Sequence, residues 1–471
     1  MRTGRDLAPE PRIDVLSVLE AELESLRPDA RVYQQRTAAP VFFRTAKAGI
    51  LQRTRAELAE LKQTPKTVTR AQRREAGNTA GLTREGIAQL TATVSGLLSA
   101  TAQSVARYVR SGPRHAAWDF RTHVVRDVLF YLLVHQADSG VQMLYRLTNA
   151  PASWPALSGG LQRVSHGAYA SRVDIPTYPL GDVAGGAWLE GLRSVEQASA
   201  GRIMAGECIV AETADRAAQG RRRGGPRAVL HFHGGAYVSG TLEQYRSAHL
   251  ALSQAVGLPV YGFAYRLAPG SQYPTQLYDA FCAYSHVRSL GYAEREIVFS
   301  GDSAGGNLAL ALWQLVKPDL HSLVLVSPRV DVASTRGSWV RNAGADILPP
   351  YNVHDPRNSL HKLLVSPGQP VSQDVLDMLA DPFISPIHAD LAGLPPALIQ
   401  AATAEVMYDD IAEFARRAQA ASSRSNDTAV TFQTFAGGFH DFQLAPILVQ
   451  NAIEARQAIG AFIWSLATAS S

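Results

Sequence analysis

One serine stands in a setting typical of a nucleophile. The segment from Ile297 to Trp313 reads IVFSGDSAGGNLALALW and contains Ser303 in a G-x-S-x-G pattern. The apolar run before the pattern and the alanine- and leucine-rich run after it predict a strand, a tight turn and a helix. Gly301 and Gly305 leave room for that turn, which would hold the serine Oγ clear of the sheet. The free N–H groups of the helix N-terminus would then face any negative charge that develops there.

A glycine loop upstream of this serine predicts an oxyanion site. In HFHGGAYVSG, the glycines follow a predicted strand that ends near Phe232. Glycines let backbone N–H groups approach a substrate oxygen without obstruction. We therefore expect the N–H groups of Gly234, Gly235 and Ala236, together with that of Ala304, to hold an oxyanion. The alternative is a glycine turn without a ligand, but the loop lies upstream of the serine, where a G-x-S-x-G nucleophile needs its oxyanion donors.

The same segment contains two histidines that alternate along a strand. His231 and His233 could in principle share a metal. No third ligand is evident, so we predict no metal site. We expect His233 to hold the glycine loop by hydrogen bonds and His231 to pack in the core or against the loop.

A base and an acid follow the serine in the order Ser, acid, His. His440 comes after the predicted strand AVTFQTF and two glycines, which favours a base on a loop. Glu405 directly follows the strand-like run PPALIQAA, whereas Asp409 and Asp410 lie in the next predicted helix. A residue just after a strand can reach back to the histidine. We therefore predict Glu405 as the acid. Its alternative role is to stabilise the helix dipole, in which case Asp409 replaces it.

Composition excludes several other classes of protein. The 471 residues carry a formal charge of +4, and the one cationic run, Arg221 to Arg223, lies between glycines, as expected of a solvated loop rather than a nucleic-acid site. Cys208 and Cys282 are too few for a disulfide framework. The N-terminus has no apolar signal region, and we expect a cytoplasmic protein. The run from Ile87 to Ala106 is rich in Thr, Ser and Gln, so membrane contact has only weak support. The sequence indicates no oligomeric state.

The two halves of the chain differ in pattern. Up to about Ala150 the periodicity is helical and no strand is convincing, whereas from Arg172 onward strand-like and helix-like runs alternate. We expect an α/β fold with a mostly parallel sheet and helices on both faces. Residues 1–171 would form a helical extension that contributes to a cap, and residues 172–471 the catalytic domain. Residues 332–386 are too long for an ordinary connection and predict a second cap insertion.

Six motifs together resemble one known family. They are HGGAYVSG, YRLAPGSQYPTQLYDA, GDSAGGNLAL, SPRVD, DPFISP and LPPALIQAATAEVMYDD, and they look like the hormone-sensitive lipase family of α/β-hydrolases. That group includes arylacetamide deacetylases and many fungal and bacterial esterases. The resemblance covers Pro226 to the end of the chain. It implies an eight-stranded hydrolase sheet with a helical cap, and a serine-dependent esterase without a cofactor. By motif position it implies these site residues: nucleophile Ser303, acid Glu405, base His440, and oxyanion donors Gly234, Gly235, Ala236 and Ala304.

The expected activity is hydrolysis of small to medium or bulky hydrophobic carboxylic esters through an acyl-enzyme. An amidase or deacetylase with the same residues is an alternative. A non-catalytic small-molecule receptor on the same fold is disfavoured by the presence of His440. The N-terminal lobe could also serve as a module for protein or membrane contact. Its aromatic residues suit either a hydrophobic pocket or the core: Trp118, Phe120, Phe130 and Tyr131.

Overall fold

Two units make up the chain, Met1–Ala88 and Gln89–Ser471. The computed structural model describes residues 31–35, 42–46, 84–135, 162–165, 167–184, 186–212, 225–334, 336–351, 355, 358, 363–365, 372–425, 429–444 and 450–469. In the first unit, β1 (Arg31–Gln35) pairs antiparallel with β2 (Phe42–Ala46). These strands differ from the expectation of helices alone before Ala150, because runs of five residues are too short for their period to be recognised.

The second unit is built around one sheet. Its strands are β3 (Gln162–Ser165), β4 (Ala168–Pro176), β5 (Ile203–Ala211), β6 (Ala228–Phe232), β7 (Val260–Phe263), β8 (Ile297–Asp302), β9 (Ser322–Val326), β10 (Ala397–Ala402) and β11 (Val430–Phe435). The described helices of the chain are α1 (Arg84–Ser111), α2 (Phe120–His135), α3 (Leu189–Ala198), α4 (Leu242–Val256), α5 (Thr275–Ser289), α6 (Ser303–Val316), α7 (Gly337–Arg341), α8 (Gln373–Met378), α9 (Tyr408–Ser425) and α10 (Gln450–Ala469).

The order of the strands across the sheet is β11-β10-β9-β8-β6-β7-β5-β4-β3. Strands β6 to β11 run parallel, whereas β3, β4 and β5 form an antiparallel margin. The prediction of a mostly parallel sheet is confirmed, but the described residues contribute nine strands to it instead of eight. The extra strand is the short edge strand β3, so the sheet begins at Gln162, ahead of the boundary expected near Arg172.

The alternation of side chains explains why the central parallel strands are mostly apolar on both faces. Val298 of β8 packs against α4 and α10 on one face, in a cluster with Leu252 and Ile459. Its neighbour Phe299 lies in the larger cluster on the other face, with Leu308 of α6. Because successive strand residues point to opposite faces, a sheet covered on both sides is hydrophobic at most positions. The parallel strands β6, β8, β9 and β10 are consecutive in the sheet, so their carboxyl ends lie at one edge, where the site is found.

No described helix is long and apolar enough to cross a membrane. The weakly polar run from Ile87 to Ala106 lies within α1. The described part of residues 332–386 contains α7 and α8.

Candidate active site

Ser303 stands at the turn from β8 into α6. Its backbone is left-handed, with φ of 51°. The turn is so tight that a Cβ on Gly305 would lie 1.9 Å from the carbonyl oxygen of Phe232, and one on Gly301 would lie 2.5 Å from the backbone of Gly305. Both glycines are therefore required by space. The strained turn leaves the hydroxyl of Ser303 at the N-terminus of α6, where the helix dipole favours an anion.

The structure brings together the three residues predicted as nucleophile, base and acid. His440 Nε2 lies 2.9 Å from Ser303 Oγ, and His440 Nδ1 lies 3.1 Å from Glu405 Oε2. With the imidazole proton on Nδ1, that N–H donates to the carboxylate and the serine O–H donates to Nε2. All three residues are buried. This geometry can pass a proton from the serine to the histidine while a carboxylate orients the ring.

The two candidate acids occupy different places. Glu405 is fully buried, and its Oε1 accepts hydrogen bonds from the N–H of Ala402 at 2.6 Å and from Ser327 Oγ at 3.3 Å. Asp409 instead accepts bonds from the N–H of Ser338 and from the Arg341 guanidinium, both at 2.8 Å. Glu405 therefore reaches the histidine, whereas Asp409 holds α7.

A second carboxylate faces the histidine on its other nitrogen. Asp441 Oδ2 lies 3.1 Å from His440 Nε2, the atom that also contacts Ser303. Burial raises the pKa of Asp441 to about 7, against the opposing charge of His440. Desolvation disfavours the imidazolium, but Asp441 and Glu405 outweigh it and raise the pKa of His440 well above its ordinary range. Sequence reasoning missed Asp441, although its position directly after the predicted base was a usable signal.

A third buried carboxylate, Asp346, holds the loops of the acid and the base. Its Oδ1 accepts hydrogen bonds from the N–H of His440 at 2.8 Å and of Ile347 at 2.7 Å, and its Oδ2 accepts one from the N–H of Val406 at 2.7 Å. Burial raises the pKa of Asp346 to about 6. Sequence reasoning missed this residue, because nothing in NAGADILPP marks it as a partner of loops 60 and 94 residues further along the chain.

The glycine loop is held from below by side chains. Tyr265 donates a hydrogen bond to the carbonyl of His233 at 2.8 Å, and the two rings stack with centroids 4.1 Å apart. His233 Nδ1–H donates to the carbonyl of Gly234 at 2.7 Å. A Cβ on Gly235 would lie 2.3 Å from the carbonyl oxygen of Ser239, and the φ of Gly235 is 104°, so only glycine fits there. The loop is preorganised, and His233 holds it as expected.

One predicted oxyanion donor is wrong. The N–H of Gly234 already donates to Tyr245 Oη at 3.0 Å and to Asp302 Oδ2 at 3.1 Å, so it anchors the loop and is not free to bind an oxyanion. The hydrogen bonds in the described residues leave the N–H groups of Gly235, Ala236 and Ala304 without an acceptor. These three N–H groups stay as predicted donors.

Asp302, inside the G-x-S-x-G pattern, is a further residue that sequence reasoning did not assign. Its Oδ1 lies 3.1 Å from His231 Nε2, and its Oδ2 accepts a 2.8 Å bond from Tyr245 Oη in addition to the bond from Gly234. His231 also contacts Ser300 Oγ at 3.2 Å. Within the described residues no cluster of three metal-ligating side chains occurs. His231 of β6 is buried and contacts Ser300 and Asp302 of β8.

Buried neutral histidines behind the loop should make the fold sensitive to acid. Desolvation lowers the pKa of His233 to about 4; that of His249, which also feels His231 and His233, falls well below 6.5. Below pH 6.5 the unfolded chain takes up protons that the folded protein refuses, so stability falls as the pH drops. For His233 alone the loss by pH 4 is roughly 3 kcal/mol.

The corresponding measurement is the free energy of unfolding between pH 7 and pH 5. His249→Phe is expected to lose less stability over this range than the wild type. His388→Gln, at an exposed histidine, should keep the wild-type slope. An equal slope in His249→Phe and the wild type would contradict the prediction.

The chain is similar to known hydrolases in both sequence and fold. A model described as the alpha/beta hydrolase fold matches residues 229–444. An esterase from Acinetobacter venetianus is 32% identical over 242 residues, which cover 50% of this chain and 75% of that protein. An acetyl-hydrolase from Streptomyces hygroscopicus is 31% identical over 241 residues, with the same two coverages of 50% and 75%. The crystal structure of an esterase from the bacterial hormone-sensitive lipase family has a similar fold, with a TM-score of 0.51 at 23% identity over 74% of this chain and 98% of that chain.

The motifs, the fold and the relatives agree. The chain belongs to the hormone-sensitive lipase family of α/β-hydrolases, a family of carboxylic ester hydrolases.

Proposed function

We propose that the protein is a serine carboxylesterase that forms an acyl-enzyme on Ser303. The observation that carries the proposal is the continuous contact from Ser303 Oγ through His440 to Glu405, at 2.9 and 3.1 Å. It is accompanied by backbone N–H groups in the glycine loop and at Ala304 that donate to no acceptor within the described residues. A serine, a base and an oriented acid at a helix N-terminus are the parts that acyl transfer needs.

In the acylation step, His440 Nε2 takes the proton of Ser303 while Oγ attacks the ester carbonyl carbon. The negative charge moves to the carbonyl oxygen, where the N–H groups of Gly235, Ala236 and Ala304 would stabilise it. Each such donor contributes roughly 3 kcal/mol to lowering the barrier in measured cases. Glu405 stabilises the imidazolium that forms.

The intermediate then collapses. The bond to the alcohol oxygen breaks, and His440 gives its proton to the leaving alcohol. In deacylation a water molecule attacks the acyl carbon, His440 takes the proton of that water, and Ser303 Oγ leaves with a proton from His440. The products are the free acid, the alcohol and the regenerated enzyme, and the cycle needs no cofactor.

Small to medium or bulky hydrophobic esters are the proposed substrates. The names esterase and acetyl-hydrolase borne by two relatives support an ester with a short acyl group. We also propose that the N-terminal helices and residues 332–386 form a cap that selects the acyl group. A hydrogen bond from Arg126 of α2 to the carbonyl of Asp346 supports this, because it joins the two predicted parts of the cap.

The proposal is tested by hydrolysis of p-nitrophenyl esters from acetate to palmitate, with p-nitroacetanilide as the amide, and by labelling with a fluorophosphonate. We expect turnover that is highest for short acyl chains. We also expect one phosphonyl group per chain on the peptide that contains Ser303, with a parallel loss of activity. Faster cleavage of the anilide would indicate the amidase alternative. A folded protein that neither cleaves an ester nor reacts with the phosphonate would exclude a serine hydrolase and favour the receptor alternative.

The carboxylate of Asp441, which faces His440 Nε2, should determine the pH at which kcat/KM falls on the acid side. His440 must be neutral to accept the serine proton, and Asp441 raises its pKa. Replacing Asp441 by asparagine removes that charge, and asparagine tolerates the φ of 54° found here. We expect the acid limb of kcat/KM to move to lower pH. Asp319→Asn, which removes an exposed carboxylate, should leave the limb in place. A limb that is unchanged or higher in Asp441→Asn would show that this charge does not act on the base.

A further inference from the structure

The helix α2 reaches the loops of the site through one buried arginine. Arg126 Nε donates to the carbonyl of Asp346 at 2.8 Å and to that of Ala345 at 3.2 Å, and its Nη2 also donates to the carbonyl of Asp346. Its Nη1 donates to Asp127 Oδ1 at 2.8 Å. The side chain is only 3% exposed. A buried guanidinium with several donors engaged is held in a fixed position, and so is the turn that it binds.

That turn carries the carboxylate that joins the acid and base loops. Asp346 accepts the N–H of His440 through Oδ1 and the N–H of Val406, next to Glu405, through Oδ2. Asn342 in the same turn donates from Nδ2 to the carbonyl of Glu405 at 2.8 Å. A single rigid turn therefore sets the backbone positions at both ends of the His440–Glu405 contact.

A second contact from the segment before α2 reaches the histidine loop. Trp118 Nε1 donates to the carbonyl of Gly437, and its ring lies edge-on to Phe439, with centroids 6.5 Å apart. Trp118 is buried in a cluster that also contains Leu129 of α2. Trp118 is therefore a core residue, which was one of its two expected roles, the other being to line a hydrophobic pocket. Both contacts come from residues that precede the segment matched by the family model.

On the basis of the proposed function, we propose that Arg126 and Asp346 are positioning residues, through which helix α2 sets the spacing between His440 and Glu405. Neither residue touches the reacting atoms. Their effect would be on the orientation of the imidazole, and a misplacement of about 1 Å at a catalytic group can cost roughly 100-fold in rate. Helix α2 would then be a working part of the site and not a separate interaction module.

Two variants each remove one of the links between helix α2 and the His440–Glu405 contact. Arg126→Met keeps the approximate volume but removes every donor to the 345–346 carbonyls. Asp346→Asn has one acceptor oxygen, so the N–H of either His440 or Val406 loses its partner. We expect each to lower kcat for p-nitrophenyl acetate roughly 10- to 100-fold with little change in KM. Arg126→Lys should be intermediate, because one ammonium cannot reproduce the fork of donors.

Leu129→Ala is the matched control for a merely structural role. It removes packing from the same helix and the same cluster, and leaves the donors of Arg126 in place. It should lower Tm at least as much as Arg126→Met, while kcat of the folded enzyme stays close to wild type. If Arg126→Met does not fold, Trp118→Phe interrupts the second contact and keeps the aromatic ring. Wild-type kcat in both Arg126→Met and Asp346→Asn, or an equal loss of kcat in Leu129→Ala, would overturn the proposal.

A readout without turnover separates this inference from the proposed function. The Nδ1–H of His440 that bonds Glu405 should give a low-field proton resonance in NMR. We expect that resonance to shift or broaden in Arg126→Met and Asp346→Asn, and to stay in place in Leu129→Ala. If the wild type cleaves no ester, the proposed function fails, but the resonance still reports whether Arg126 and Asp346 position His440 against Glu405. An unchanged resonance in both Arg126→Met and Asp346→Asn would refute the positioning role.

Discussion

Ser303→Ala is expected to lower kcat for p-nitrophenyl acetate by roughly 10⁶-fold, to the level given by the oxyanion site and substrate binding alone. The hydroxyl 2.9 Å from His440 Nε2 is the proposed nucleophile, and alanine leaves the base with nothing to activate. His440→Ala should cost about as much. The double variant should be little worse than either, because residues that act as one unit are not additive.

Backbone strain supplies a second observation on the same turn. Ser303 holds a φ of 51°, which costs energy for any residue with a Cβ and none for glycine. Ser303→Gly should therefore be as inactive as Ser303→Ala but unfold at a higher temperature. Ser289→Ala, at an exposed helix serine, is the control and should keep wild-type kcat. Residual activity above about a thousandth of wild type in Ser303→Ala would show that another group attacks the ester.

The local parts of the site could be predicted because their constraints are local in sequence. The G-x-S-x-G turn needs its glycines within two residues of Ser303, so the pattern itself reports the geometry. The order of Ser303, Glu405 and His440 follows from the order of the strands, and the preference for Glu405 over Asp409 rested on where a strand ends. The sheet was predictable for the same reason, since its runs of buried residues alternate with helices.

The remaining parts depend on contacts between distant segments, which one sequence does not show. Asp346 is bound by backbone N–H groups, and a backbone donor leaves no mark in residue type. Arg126 meets a carbonyl 220 residues away. Gly234 looked like an oxyanion donor because it lies beside the predicted donors Gly235 and Ala236. Only its contact with Asp302 shows that its N–H is already bonded. The edge strand β3 has four residues, too few for a period of two to stand out.

Glu405→Gln is expected to lower kcat by roughly 10⁴-fold with a small change in KM. Glu405 Oε2 lies 3.1 Å from His440 Nδ1, and a carboxylate there keeps the imidazole proton on Nδ1. A glutamine can place its amide N–H₂ toward Nδ1 and so favour the tautomer with the proton on Nε2, which cannot accept the serine proton. The buried acceptor at Oε1 can be kept by the amide oxygen, so the variant should still fold.

Asp409→Asn is the matched comparison, since Asp409 was the alternative acid and lies four residues away. It bonds the N–H of Ser338 and the Arg341 guanidinium, so its charge acts on α7 and not on the histidine. We expect less than about a threefold change in kcat, with any loss confined to Tm, as for a partly exposed ion pair. The measurement is kcat and KM for p-nitrophenyl acetate at the plateau of the pH profile. A large loss of kcat in Asp409→Asn with near wild-type kcat in Glu405→Gln would reverse the assignment of the acid. The reaction depends on the charge of the residue that orients His440, so the variant that loses activity identifies that residue.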